Sequence, residues 1–110
     1  MNDKVILRCC ATCEGPGWAA LRAALEEASF DVPVEFATQA CMNACSRPSS
    51  LALQGVGRAT YFFDDVKPEE DVEDILATIR TYIGAPAGWI EDARPCGRLR
   101  FCLKGRVPAL

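Results

Sequence analysis

The chain of 110 residues contains no histidine. That absence removes the commonest general base and the commonest metal-binding side chain. Any soft-metal site would have to be built from thiolates, with at most a carboxylate to help. Long apolar runs are missing too. The longest near the start, Val5-Ile6-Leu7, is broken by Arg8, and nothing approaches the roughly 20 apolar residues that a membrane helix needs. The opening lacks the basic stretch and apolar core of a secretory signal. These absences set the expectation of a cytoplasmic protein with no membrane insertion. No Ser/His/Asp set, phosphate loop or pair of catalytic acids is present, so the expected role is that of a carrier or binding protein, not an enzyme.

Acidic residues are absent from one segment. All 15 lie at or before Asp92, and Arg94, Arg98, Arg100, Lys104 and Arg106 follow without one. Residues 1–93 hold 7 basic groups and carry a net −8, and the tail carries +5. An acidic body argues against nucleic acid as a partner. The basic tail reads as a cover for the body, a docking element or part of a dimer.

Cysteine, by contrast, is plentiful. The chain has seven, about 6% of its residues and below the 8–10% of disulfide scaffolds. In a reducing compartment such cysteines are ligands or redox groups more often than bridges. Four of them form two close pairs, Cys10-Ala-Thr-Cys13 and Cys41-Met-Asn-Ala-Cys45. Two such pairs brought together make a four-thiolate cage suited to zinc or an iron–sulfur cluster.

Periodicity predicts the elements. Lys4 to Arg8 reads as a buried strand, and Gly15-Pro16-Gly17 breaks the chain before a helix over 18–29 with Trp18, Leu21, Leu25 and Ala28 on one face. A second strand spans 32–37. Two more, over 50–54 and 59–63, flank the turn residues Gly55-Val56-Gly57. Pro68 opens a second helix to about Ile83, and Gly84 ends it. The order β-α-β-β-β-α is the minimal thioredoxin-like arrangement, an α/β fold. Residues 1–84 form the expected domain, and 85–110 are a linker and basic C-terminal extension. The first crossover makes its two strands parallel, which brings the segments after them, with Cys10/Cys13 and Cys41/Cys45, to one edge of the sheet.

Three chemistries fit these thiols. In a [2Fe–2S] cluster each iron takes two thiolates, so Cys10, Cys13, Cys41 and Cys45 are the expected ligands, with Cys9 able to replace Cys10. Zn²⁺ in a cage of the same four cysteines is the alternative. Dithiol–disulfide exchange by Cys10 and Cys13 is the third, weakened by the distance from the pair to the helix start.

Cys41-Met42-Asn43-Ala44-Cys45-Ser46-Arg47-Pro48, with the strand Ser50-Leu51-Ala52-Leu53-Gln54 after it, resembles the second ligand loop of thioredoxin-like [2Fe–2S] ferredoxins. A similar loop occurs in the small cluster-bearing subunit of respiratory complex I. The whole chain resembles an uncharacterised bacterial family of predicted metal-binding proteins. Its shared features correspond here to the two cysteine pairs, Arg94-Pro95 and Arg106-Val107-Pro108. The first pair departs from the ferredoxins, which space theirs more widely. The resemblance implies a one-electron carrier serving a redox partner protein, and a homodimer.

Overall fold

The structure, a computed structural model, describes residues 4–10, 18–39, 51–64, 66 and 70–109. Cys10, Trp18, Thr38 and Gln39 are described in their backbone only. Strand β1 is Val5–Cys10, followed by helix α1 at Trp18–Glu27, β2 at Val34–Gln39, β3 at Leu51–Gly55 and β4 at Thr60–Phe63. Helix α2 is Val72–Gly84. A 3-10 turn at Pro86–Gly88 and a 3-10 segment at Arg94–Phe101 lead into β5 at Leu103–Val107. The first six elements keep the predicted order. The predicted Gly15–Gly17 break and Pro68 helix start lie outside the described residues.

The five strands form one mixed sheet in the order β2-β1-β3-β4-β5. Strands β1 and β2 are parallel, with Val5 beside Val34 and Cys10 beside Gln39. The pairs β1–β3, β3–β4 and β4–β5 are antiparallel. Alternation along the strands decides which face is buried. Val5, Leu7 and Cys9 of β1, Leu51 and Leu53 of β3, and Tyr61 and Phe63 of β4 all enter one core. Leu21 and Leu25 of α1 join it, as do Ile75, Ile79 and Tyr82 of α2. The α2 residues recur at i, i+4 and i+7, which is one helical face. Each fully buried aliphatic side chain stabilises the fold by about 1.5–3 kcal/mol.

The tail completes this body. Ile90, Cys96, Leu99 and Cys102 belong to the same core, and β5 adds a strand beyond β4. The attachment is electrostatic as well as apolar. The Arg98 guanidinium donates from Nε to Asp71 Oδ1 at 2.9 Å and from Nη2 to Oδ2 of the same carboxylate. Its backbone N–H donates to Asp74 Oδ2 at 3.1 Å. Asp71, at the start of α2, is only 3% exposed. Such a close approach requires glycine at position 97. Its φ is +62°, and a Cβ there would run into the Asp74 carboxylate. Lys104 Nζ lies 3.8 Å from Asp64 Oδ2. Two of the five tail cations are thus matched by body carboxylates, so covering the body, one of the three roles considered for the tail, describes what these two do.

Trp89 and Tyr82 secure the junction. The Arg106 guanidinium stacks 4.0 Å from the Trp89 ring centroid and donates to the Ile90 carbonyl at 3.1 Å. The Tyr82 hydroxyl donates to the Ala59 carbonyl, and the Tyr61 hydroxyl accepts from the Ile90 N–H at 2.7 Å.

This packing can be tested at two points. Removing Arg98 takes the paired guanidinium bonds from the buried Asp71 carboxylate, so Arg98→Ala should lower stability by about 2 kcal/mol in urea unfolding. Arg98→Lys should recover only part, because an ammonium cannot grip a carboxylate with two parallel bonds; a loss near zero for both variants would contradict the clasp. Burial pushes the Tyr82 phenol up to about 12, against about 10 in an unfolded chain. Between those values the unfolded chain binds fewer protons than the folded one, so stability falls as pH rises through that window. Absorbance at 295 nm should show a phenolate phase near pH 12 that Tyr82→Phe removes; an unchanged titration curve in that variant would contradict it.

Candidate functional site

The cysteines divide sharply. Cys9, Cys96 and Cys102 are buried, at 0%, 3% and 3% exposure, and serve the core as small apolar side chains. Burial pushes the Cys96 thiol up, against hydrogen bonds from Thr78 and Thr81 that act the other way. Cys10 is described in its backbone only, as the last residue of β1. Cys13, Cys41 and Cys45 lie outside the described residues. The parallel pairing of β1 with β2 starts the segments that carry these four residues from one edge of the sheet.

Among the described residues no group of three or more His, Cys, Asp or Glu side chains is placed to hold a metal ion. This finding corrects the expected function. The [2Fe–2S] ferredoxin, the electron carrier, the four-cysteine Zn²⁺ site and the dithiol–disulfide pair of Cys10 and Cys13 receive no support. The physical reason lies in how the potential donors are used. The described thiols Cys9, Cys96 and Cys102 are spread through the core, and carboxylates are held by arginines: Asp71 by Arg98 and Asp92 by Arg94 at 2.8 Å. Hydrogen bonds from Arg94 hold the Asp92 carboxyl down to about 2.

The described residues gather an unpredicted site at the other end of the sheet. A small cavity of about 50 Å³ opens between β4, β5 and the Arg94–Phe101 segment. Tyr61, Phe63, Ile90 and Cys96 supply an apolar lining, and Leu103, Arg100 and Arg106 line it as well. Arg100 stands 4.7 Å from the Phe101 ring centroid. Among the described residues neither Arg100 nor Arg106 forms an ion pair. Leu103, 40% exposed, lines the cavity, Phe101, 74% exposed, follows Arg100, and Phe62 and Val107, 39% and 54% exposed, alternate to the other face of the same β4–β5 edge. Exposed apolar side chains beside two cations that form no ion pair among the described residues are unusual for a solvated face, where large apolar side chains are thinly scattered. The sequence signal was available in Arg100-Phe101 and Leu103-Lys104-Gly105-Arg106-Val107, where apolar and basic residues interleave.

A second hollow, of about 420 Å³, lies where α2 meets the tail, between Trp89, Pro86 and Pro95, with Glu91 and Asp92 beside them. It is a shallow apolar groove. Among the described residues no helix is long and apolar enough to cross a membrane.

The fold and its surfaces define a small mixed α/β protein with an open mixed sheet, two main helices and a cationic, apolar patch at one sheet edge. The chain belongs to the family of proteins of unknown function DUF1636, which it matches over residues 7–109. The family match therefore takes in β5 and the basic tail as well as the body. No curated protein and no solved structure matches the chain. The expected membership of an uncharacterised family is what the match shows, and no likeness to a named ferredoxin or metal-binding family accompanies it.

The burial pattern makes a direct prediction. Iodoacetamide should label Cys9, Cys96 and Cys102 only once denaturant opens the core, as read by peptide mass spectrometry. Labelling of any of the three in native protein at the rate of a small-molecule thiol would contradict the packing described.

Proposed function

We propose that the protein works by binding another protein, and that its contact surface is the β4–β5 end of the sheet. The observation that carries this reading is the concentration of exposed large apolar side chains there: Phe62, Phe101, Leu103 and Val107. Protein-binding patches combine such side chains with arginine, which is enriched at interfaces. The partner first expected as a redox partner becomes, on this reading, a protein recognised by shape and charge.

The proposed fold is the thioredoxin-like one. It draws support from the order β2-β1-β3-β4, with β2 parallel to β1 and β3 antiparallel to it, and from two helices that bury side chains in the same core. Cys10, Cys13, Cys41 and Cys45 stand as proposed site residues on their sequence pattern and on the parallel β1–β2 pairing. The reading assigns them no cofactor. A cytoplasmic location belongs to the same proposal, supported by the buried thiols of Cys96 and Cys102.

The test is site-specific photocrosslinking in cells. A benzophenone side chain at Phe101 should trap a discrete adduct, and the same group at exposed Arg22 on α1 should not. Equal adducts from both positions, or none from Phe101 at normal expression, would sink the proposal.

A further inference from the structure

We propose that the cavity edged by Arg100 and Arg106 receives a carboxylate side chain from an acidic, partly apolar segment of the partner protein. This deepens the binding role proposed above and rests on it. Both arginines line one cavity with an apolar interior, and among the described residues neither forms an ion pair. The contrast with the rest of the tail is informative. Arg94 is held by Asp92, Arg98 by Asp71, and Lys104 approaches Asp64. The two cations left over are those at the cavity.

Their surroundings prepare them for an anion. Arg106 is fixed by the Trp89 ring and the Ile90 carbonyl, so little further freedom is lost when it binds. Arg100 lies over the Phe101 ring. Guanidinium forks match carboxylates with paired, charge-assisted hydrogen bonds. A cavity of about 50 Å³ accepts the end of one side chain and no whole metabolite, since small-molecule pockets run to ~300 Å³ and above. Exposed Leu103, which lines the cavity, and Phe101, next to Arg100, then offer apolar contact to the residues beside that acid.

Two other occupants fit less well. A strand added along β5 would need a long, regular edge. Here the register shifts at Phe62/Phe63, Lys104 sits in the strand, and Pro108 follows it, all features that protect an edge from pairing. A second copy would meet the patch with the same patch across a two-fold axis, which brings further arginines and none of the paired carboxylates to it.

The test uses the full chain, labelled for NMR, and three probes: the peptide acetyl-Glu-Leu-Glu-Leu-Glu-amide, its Gln-for-Glu counterpart, and sodium acetate. The acidic peptide should shift the side-chain Nε signals of Arg100 and Arg106 and the amides of residues 100–107. It should bind at least tenfold more tightly than the Gln peptide and weaken as salt rises. Arg100→Gln should reduce its affinity at least fivefold, and Arg22→Gln, on exposed α1, should leave it unchanged. Equal binding of the Gln peptide, shifts confined to other residues, or indifference to Arg100→Gln would overturn the inference. So would acetate alone reproducing the shifts at the same concentration, which would make this a small-anion site. If the acidic peptide fails while Phe101 still crosslinks a partner, the binding role survives and the carboxylate inference falls.

Discussion

The ion pair between Arg98 and the buried carboxylate of Asp71 is the contact on which the arrangement of the tail depends. Its two guanidinium bonds fix the Arg94–Phe101 segment against the start of α2, and Gly97 lets the backbone come close enough for the Arg98 N–H to reach Asp74. Once that segment is placed, Cys96, Leu99 and Cys102 fall into the core and β5 is delivered to the free side of β4. A charge buried at the start of a helix is costly by itself. Here the cost is offset because the bonds are paired and the helix dipole favours an acid at that end.

The same constraint produces the candidate binding surface. Acidic residues over 64–74 are engaged by the chain's own tail, through Asp64, Asp71 and Asp74. Arg94 is held by Asp92, and among the described residues the two remaining tail arginines, at the β4–β5 end, form no ion pair. Fold and surface are therefore linked: the cations that build the tail onto the body determine which cations stay available. The end where β1 and β2 start the cysteine-bearing segments is separate, with β1 and β3 between β2 and the β4–β5 edge.

The body was legible in the sequence because its elements have clean periods. Val5-Ile6-Leu7 gave β1, Leu21 and Leu25 gave the face of α1, and Ile75 with Ile79 gave that of α2. The glycines of the 55–57 turn marked the β3–β4 hairpin. Strand β2 was expected two residues early, since Pro33 and Val32 look extended but pairing begins at Val34. Strand β5 was missed. Lys104, Gly105 and Arg106 interrupt its apolar pattern, and an edge strand with little burial carries almost no periodic signal. The acids at the start of α2 read as dipole partners, because nothing local reveals that Arg98, 27 residues on, will claim one of them. The cysteine spacing pointed to a metal, but spacing constrains only how near two thiols can come. It does not require a cage to form, and the described thiols of Cys9, Cys96 and Cys102 are committed to the core.

The most direct test of this account is whether the tail and the body unfold together. With Trp18 replaced by phenylalanine, Trp89 becomes the sole indole, placed in the tail beside Arg106. Urea unfolding followed by Trp89 fluorescence and by far-ultraviolet circular dichroism should give one coincident transition, because the Asp71–Arg98 clasp makes the tail part of a single cooperative unit. A Trp89 transition at clearly lower urea than the loss of secondary structure would contradict the account, since it would mean that the tail detaches from an intact body.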